Sequence, residues 1–160
     1  MQSTLELTTK LPLAHYAPGD TVVREGDAAG GLWVLVSGAL EIRKGAILVA
    51  TVNKPGALIG EVSLLLKSAY SATVVAVEPT TMRFAADGAA VLTSHPEIIL
   101  RMAEGLAERL SFVTTYLADL KHQYGDAPGL AMVSDVLREL SERRVPPVRA
   151  GSARDPNPDY

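Results

Sequence analysis

Residues 59–74 carry the sequence pattern with the clearest capacity for ligand chemistry. A strand is predicted to end at Leu58 and Ile59, where Gly60 breaks it. Residues 61–66 are predicted to form one or two helical turns, and the next strand is predicted to begin at Thr73. A glycine followed by a short helix presents unpaired backbone N–H groups at a positive helix end, which suits an anion such as phosphate. Glu61 adds a carboxylate that accepts hydrogen bonds from sugar hydroxyls. The alternative interpretation of this pattern is a plain strand–turn–strand crossover with Glu61 solvated.

The rest of the sequence offers little material for catalysis or metal binding. The chain has no cysteine, which excludes disulfide scaffolds, thiolate zinc sites and thiol catalysis. Its three histidines, His15, His95 and His122, are widely spaced, and each is interpreted as a surface or capping residue. No Ser-His-Asp, Gly-x-Ser-x-Gly or P-loop pattern occurs. We therefore expect no catalytic residue, no metal, no cofactor and no enzymatic activity.

Length and charge narrow the class of protein further. The 160 residues fit about one domain, and a hydrophobic content of 48% is enough for a core. The net charge of −3 offers no general attraction to a polyanion, so we expect no direct DNA binding. The longest apolar run is far below the ~18 residues of a membrane span, and the N-terminus does not resemble a signal peptide. We expect a cytoplasmic protein without a membrane segment.

The elements before residue 88 are predicted to be short strands. In residues 11–84, β-branched or apolar runs alternate with Gly-Asp, Pro-Gly and Lys-Gly pairs, a spacing typical of an all-β sandwich or barrel. Residues 32–36 are predicted to form a buried strand. Residues 39–43 are predicted to pair with residues 47–52 as a hairpin, in which Gly45 allows the positive φ of a tight turn.

The pattern becomes helical from about Asp87. Apolar residues recur there at steps of three and four: Ile99, Met102, Leu106, Leu110, Val113, Leu117, Leu120 and Tyr124. Ser94 is the predicted cap, and Pro96 suits the first turn. The long, narrow stripe favours pairing with a second copy of the chain, and burial against the chain's own core is the alternative. Residues 1–124 are thus predicted to be one domain, followed by a short amphipathic helix within residues 125–144 and a disordered tail at 145–160.

Several short motifs stand in an order that is shared with a known family. They are Tyr16 with Pro18, Gly19 and Asp20; Glu25, Gly26 and Asp27; residues 32–38; Pro55, Gly56, Ile59, Gly60 and Glu61; residues 95–98; and residues 106–110. In this set the chain resembles the cyclic nucleotide-binding domain of the Crp/Fnr type over roughly residues 12–124. The resemblance implies a mainly β fold with α-helices, namely a double-stranded β-helix (a jelly-roll-like β-roll) followed by a long dimerisation helix.

The resemblance also implies a binding site for a cyclic nucleotide, cAMP or cGMP, or for a related small anion. Its implied ligand-binding residues are Gly60, Glu61, Val62, Ser63, Tyr70, Ser71, Ala72 and Thr114. Glu61 would accept the ribose 2′-hydroxyl, and nearby backbone N–H groups would face the cyclic phosphate. Ser71 would donate its hydroxyl and Ala72 its N–H to the phosphate, while Thr114 would contact the adenine.

One position departs from the family pattern. The family has an arginine immediately before Ser71, where this chain has Tyr70. Charge-assisted hydrogen bonds contribute about 1.5–3 kcal/mol each, and losing ~3 kcal/mol weakens binding by about two orders of magnitude. Lys67 could turn toward the phosphate, or it is a solvated loop lysine. The chain therefore binds a cyclic nucleotide weakly, binds another ligand, or binds none.

These expectations describe a regulatory module. Family members that regulate transcription continue into a helix-turn-helix domain, and this chain is expected to lack one, because about 35 residues follow Tyr124. We expect a stand-alone homodimeric sensor in which occupancy of residues 60–73 repositions the long helix and signals in trans to an effector protein. The alternative is a ligand-free dimeric scaffold that has kept the fold and lost the nucleotide.

Overall fold

The computed structural model describes residues 3–125 and 131–141 of the chain. It has two compact units, which divide between Met102 and Ala103. In chain order the elements are α1 (Thr4–Leu7), β1 (Leu13–Tyr16), β2 (Thr21–Val23), β3 (Leu32–Ser37), β4 (Leu40–Lys44), β5 (Ile47–Val52), β6 (Leu58–Ile59), α2 (Glu61–Leu66), β7 (Thr73–Ala76), β8 (Thr80–Ala85), α3 (Gly88–Ser94), α4 (Pro96–Tyr124) and α5 (Ala131–Ser141).

The strands of residues 3–125 form two antiparallel four-stranded sheets. One has the strand order β1-β8-β3-β6 and the other the order β2-β7-β4-β5. Strands far apart in the sequence are neighbours in both sheets, so the chain crosses repeatedly from one sheet to the other. The predicted fold class, a mainly β roll followed by a long helix, is confirmed.

The predicted hairpin is formed by β4 and β5. Leu40 pairs with Val52 at one end and Lys44 with Ile47 at the other, next to the turn. Gly45 in that turn has φ +57°, a left-handed value that glycine adopts at low cost. β4 also pairs with β7, with Arg43 opposite Thr73. The turn end of the hairpin is therefore held next to the start of β7.

The core of the roll is built from apolar side chains of both sheets. Its buried members are Val23, Trp33, Leu35, Leu40, Ile59, Tyr70, Val74, Ala76 and Met82. Three aromatic rings meet at Trp33, whose centroid lies 4.8 Å from that of Phe84 and 6.0 Å from that of Tyr70. The indole Nε1 of Trp33 donates to the hydroxyl of Tyr16 at 3.2 Å, so its polar group is satisfied inside the core.

A second apolar cluster joins the first part of the helical region to the roll. It contains Leu32, Ala85, Leu92, Ile98 and Met102. Ile98 is fully buried, whereas Ile99, the residue predicted to lead the apolar stripe, is 43% exposed. The inward stripe of α4 therefore starts one residue earlier than predicted.

The prediction that Ser94 caps the long helix is wrong. Ser94 is the last residue of the separate helix α3, and its hydroxyl donates to the carbonyl of Ala90 at 2.9 Å. Asp87 is the residue that caps α3, since its side chain accepts from the N–H of Ala90. α4 begins at Pro96, as predicted, because proline fits the first turn of a helix, where its missing N–H is not needed.

The second unit contains the rest of α4 and the helix α5. Leu110 and Val113 of the predicted stripe are exposed in the single chain, and so is the stacked ring pair Phe112 and Tyr116. α5 corresponds to the amphipathic helix predicted within residues 125–144. The predicted tail at 145–160 lies outside the described residues, and pairing of α4 with a second copy stays a prediction.

Candidate functional site

The stretch between β6 and β7, residues 60–72, opens with a turn that requires glycine. We refer to it as the β6–β7 segment. Gly60 has φ +92° and ψ −6°, a left-handed conformation that separates the strand β6 from the helix α2. A Cβ atom at Gly60 would lie 2.7 Å from the carbonyl oxygen of Gly31 and 3.5 Å from the ring of Trp33. A side chain at residue 60 would therefore be strained by the left-handed backbone and would also lack space. The absence of a side chain at Gly60 lets the start of α2 pack against the aromatic core.

The first turn of α2 contains buried polar side chains. Glu61 is 6% exposed and Ser63 is 3% exposed. An acidic residue in the first turn of a helix is favoured by the positive helix end, and the first N–H groups are not used by the helix's own hydrogen bonds. The helix closes at Lys67, which has a left-handed φ of +52° and whose N–H donates to the carbonyl of Ser63. The solvated Glu61 of the alternative interpretation is wrong, because its side chain is buried.

Tyr70 lies in the core of the roll. Its side chain is 8% exposed, and its ring meets that of Trp33 in an edge-on arrangement. Its backbone is fixed as well, since its N–H donates to the carbonyl of Asp27 at 3.0 Å and its own carbonyl accepts from the N–H of Gly26 at 2.9 Å. Tyr70 thus anchors the segment to the core through its ring and its backbone.

The turn of Glu25, Gly26 and Asp27 holds the end of the segment. Besides the two hydrogen bonds to Tyr70, the N–H of Glu25 donates to the hydroxyl of Thr73 at 3.0 Å. Glu25 reaches the hairpin too, where its Oε2 accepts from the N–H of Gly45 at 3.0 Å. This turn therefore ties the residues around Ser71 to the β4–β5 hairpin.

A lysine of the hairpin completes the surroundings of Ser71. The Nζ of Lys44 donates to the carbonyl oxygen of Ser71 at 2.8 Å and lies 3.4 Å from Oε1 of Glu25. Ser71 itself is exposed, and Ala72 beside it is half-buried. The segment thus has a buried carboxylate at its start and an exposed hydroxyl at its end, where a cation from the hairpin lies next to it.

A family model described as the cyclic nucleotide-binding domain matches residues 13–88. This part of the chain belongs to the cyclic nucleotide-binding domain family. The matched residues contain β1–β8, α2 and the whole β6–β7 segment.

Individual relatives extend the likeness beyond the domain. The chain is 29% identical over 110 residues to the HTH-type transcriptional regulator Cmr of Mycobacterium tuberculosis, which covers 66% of this chain and 45% of that protein. It is 37% identical over 82 residues to the acetyltransferase Pat of Mycolicibacterium smegmatis, covering 48% of this chain and 24% of that protein. The crystal structure of the Thermus thermophilus catabolite activator protein superimposes with a TM-score of 0.61 at 25% identity, covering 92% of this chain and 90% of that one.

The chain spans less than half the length of each of the two curated relatives. One of these relatives is named as a transcriptional regulator and the other as an enzyme, so the domain occurs in proteins with different activities.

The structure places seven of the eight predicted site residues in the β6–β7 segment of the domain. The eighth, Thr114, lies in the second unit on α4, where its hydroxyl donates to the carbonyl of Leu110 at 2.8 Å. Residues 60 to 63 open the segment, and residues 70 to 72 close it, as the motif spacing predicts. The ligand-binding roles of all eight stay predictions.

Two features of the site did not follow from the sequence pattern. A turn at Glu25, Gly26 and Asp27 is predicted, but its hydrogen bonds to Tyr70 and Thr73 are not. Lys44 is predicted only as part of the hairpin, and its contact with Ser71 spans 27 residues.

In residues 3–125 and 131–141, no three His, Asp or Glu side chains lie together in a way that could hold a metal ion. No helix there has the length and apolar character needed to cross a membrane.

Proposed function

We propose that the domain binds a cyclic nucleotide in the β6–β7 segment. The observation that carries the proposal is the buried carboxylate of Glu61, placed directly after the left-handed Gly60. An ionised carboxylate only accepts hydrogen bonds, and burial excludes the water that would otherwise compete for it. A ribose 2′-hydroxyl is a donor that such a group accepts. Membership of the cyclic nucleotide-binding domain family supports the same ligand class.

The phosphate end of the ligand is assigned to the other residues of the segment. The N–H groups of Val62, Ser63 and Ala72 and the hydroxyl of Ser71 are the proposed donors. Tyr70 stands where the family pattern has an arginine, and its ring is committed to the core. We therefore expect weaker binding than a complete site would give, by about two orders of magnitude for a lost contribution of ~3 kcal/mol. The proposed role is binding and regulation without catalysis.

A thermal-shift series tests this proposal. A ligand that binds only the folded chain at 100 times its Kd stabilises it by about 2.7 kcal/mol, which raises Tm by several degrees. We expect cAMP or cGMP to raise Tm in a concentration-dependent way. The matched control is 5′-AMP, which carries the same base and sugar but no cyclic phosphate. Equal changes in Tm for all three nucleotides, or no change in Tm at millimolar concentration, would contradict the proposal.

A ligand-free scaffold is the second candidate, and the position of Tyr70 favours it. Its buried ring contributes to the packing of the roll whether or not a ligand is present. Under this alternative the domain holds its partners in a fixed geometry, and no nucleotide changes its stability. The thermal-shift series therefore separates the two candidates.

We further propose that two copies of the chain pair through α4. Within the second unit, Leu110 and Val113 are exposed in the single chain, and both belong to a stripe with heptad-like spacing. Ligand binding would shift the population between two arrangements of this helix. α5 would transmit the change to an effector, because Met132, Val136 and Leu140 form an exposed apolar line at four-residue spacing.

Light scattering coupled to gel filtration tests the pairing. The chain has a mass of 16.9 kDa, and we expect twice that mass at micromolar concentration. Val113→Glu places a charge in the stripe and should give the single-chain mass. Ser111→Glu, which adds the same charge at an exposed position outside the stripe, is the control and should remain paired. A single-chain mass for the unmodified protein contradicts the proposal.

A further inference from the structure

The surroundings of Ser71 contain a cation that comes from a distant part of the chain. The pairing of β4 with β7 sets Arg43 opposite Thr73, so the next residue of β4, Lys44, reaches the residues just before β7. Its Nζ donates to the carbonyl oxygen of Ser71 at 2.8 Å. Its side chain is 62% exposed, so the ammonium group has room to change its partner.

We propose that Lys44 supplies the positive charge that faces the anionic group of the ligand, in place of the arginine that is absent at position 70. This inference rests on the proposed function, in which Ser71 donates its hydroxyl to the cyclic phosphate. The ammonium group of Lys44 already bonds to the backbone carbonyl of the residue that carries this hydroxyl. Because a lysine ends in a compact charge on a flexible stem, a small rotation brings it to a bound phosphate.

Two other cations near the segment, Arg43 and Lys67, have different surroundings. The guanidinium of Arg43 bonds to Glu41 through both Nε and Nη2. Lys67 lies at the carboxyl end of α2, where the negative end of the helix attracts a positive charge. Of these cations, Lys44 is the one that the structure places on the phosphate-binding residue itself.

Glu25 gives Lys44 a partner before a ligand arrives. Its Oε1 lies 3.4 Å from the Nζ of Lys44, and its Oε2 accepts from the N–H of Gly45. An exposed ion pair therefore holds the lysine next to Ser71, and this weak interaction can be replaced by an incoming anion. Lys44 is thus assigned as a ligand-binding residue for the anionic part of the ligand.

The test compares four full-length chains: the unmodified protein, Lys44→Gln, Lys44→Arg and Lys54→Gln. Lys54 is the control because it lies beyond the other end of the hairpin, on the order of 20 Å from Lys44 along an extended strand. Binding of cAMP and cGMP is measured by calorimetry and by the fluorescence of Trp33, the single tryptophan, which contacts both Gly60 and Tyr70. Urea midpoints confirm that each variant is folded.

We expect Lys44→Gln to weaken binding about tenfold, the effect of losing roughly 1.4 kcal/mol of a partly exposed charge-assisted interaction. Lys44→Arg should restore most of the affinity, because it keeps the charge, and Lys54→Gln should leave binding unchanged. The affinity of the unmodified protein should fall with added salt more steeply than that of Lys44→Gln. Equal affinities for Lys44→Gln and Lys54→Gln overturn the inference while leaving nucleotide binding intact. Absence of binding by the unmodified protein overturns both, and it is visible before any variant is compared.

Discussion

Replacing Gly60 by alanine should destabilise the domain more than an equivalent change at any open glycine turn. Two separate costs arise at this position. An L-residue in the left-handed region costs about 1–2 kcal/mol. The new Cβ would also lie 2.7 Å from the carbonyl oxygen of Gly31, a backbone atom that cannot rotate away. Forcing such a contact in a packed region costs typically about 1–3 kcal/mol.

The two costs together predict a loss of about 2–5 kcal/mol in the free energy of unfolding. A total of this size is a large share of the ~5–15 kcal/mol that stabilises an ordinary domain. It corresponds to a fall in Tm of roughly 5–15 °C for a chain of this length.

Gly26→Ala separates the two costs. Gly26 has φ +88°, close to the +92° of Gly60, yet nothing lies within 4 Å of where its Cβ would be. The control therefore carries the backbone cost alone, about 1–2 kcal/mol.

Both variants are unfolded in urea, with Trp33 fluorescence and far-UV circular dichroism as the two probes. If Gly60→Ala and Gly26→Ala lose the same free energy, the close approach of Gly60 to Gly31 has no energetic consequence. That result would refute the conclusion that lack of space at Gly60 fixes the start of α2 against the core.

Three further variants test the site and its support. Glu61→Gln should weaken the binding of cAMP about tenfold and leave the binding of 2′-deoxy-cAMP unchanged. Equal losses of affinity for both nucleotides, measured by calorimetry, would show that Glu61 does not bind the 2′-hydroxyl. Arg83→Met should lower the free energy of unfolding in urea by about 1–2 kcal/mol, because Nη1 of Arg83 donates to the carbonyl of Leu5 and so ties α1 to β8; an unchanged urea midpoint contradicts this. Hydrogen bonds from the backbone and side chain of Ser3 lower the pKa of Glu6 below its ordinary value of 4.5, so the contribution of Glu6 is present above that pH and is lost as the pH falls through the lowered pKa. The Tm of Glu6→Gln should therefore lie below that of the unmodified protein at neutral pH and approach it below about pH 4.5, and a constant difference contradicts the assignment.

Local patterns in the sequence predicted the site's backbone well. The end of β6 at Ile59, the helix at Glu61–Leu66 and the start of β7 at Thr73 all lie where the sequence places them. These boundaries depend on interactions between near neighbours, such as the need for glycine at a left-handed turn. They are therefore readable without knowing the rest of the fold.

Two further helix starts also carry local signals in the sequence. Ser3 and Glu6 form a capping box, with the N–H of Ser3 donating to Oε2 of Glu6 at 2.6 Å, and the Ser-x-x-Glu spacing predicts such a helix start. Asp87 begins α3 in a similar way. The start of the long helix at Pro96 is predicted, but the separate helix α3 that ends at Ser94 is not.

Other parts of the site depend on contacts that sequence spacing does not reveal. Tyr70 is buried against Trp33, which lies 37 residues earlier in the sequence. The contact of Lys44 with Ser71 follows from the pairing of β4 with β7, which are not consecutive strands. Such pairings are set by the crossovers between the sheets, so the cation of the site was visible only once the topology was known.

Calorimetric titration with cAMP and with cGMP shows whether the β6–β7 segment binds a cyclic nucleotide with Tyr70 in place of the usual arginine. We expect saturable heat for at least one of the two nucleotides, with one ligand bound per chain. No heat beyond dilution up to about 1 mM, where binding would be worth only about 4 kcal/mol, would contradict the proposal and leave the ligand-free scaffold as the function of this fold.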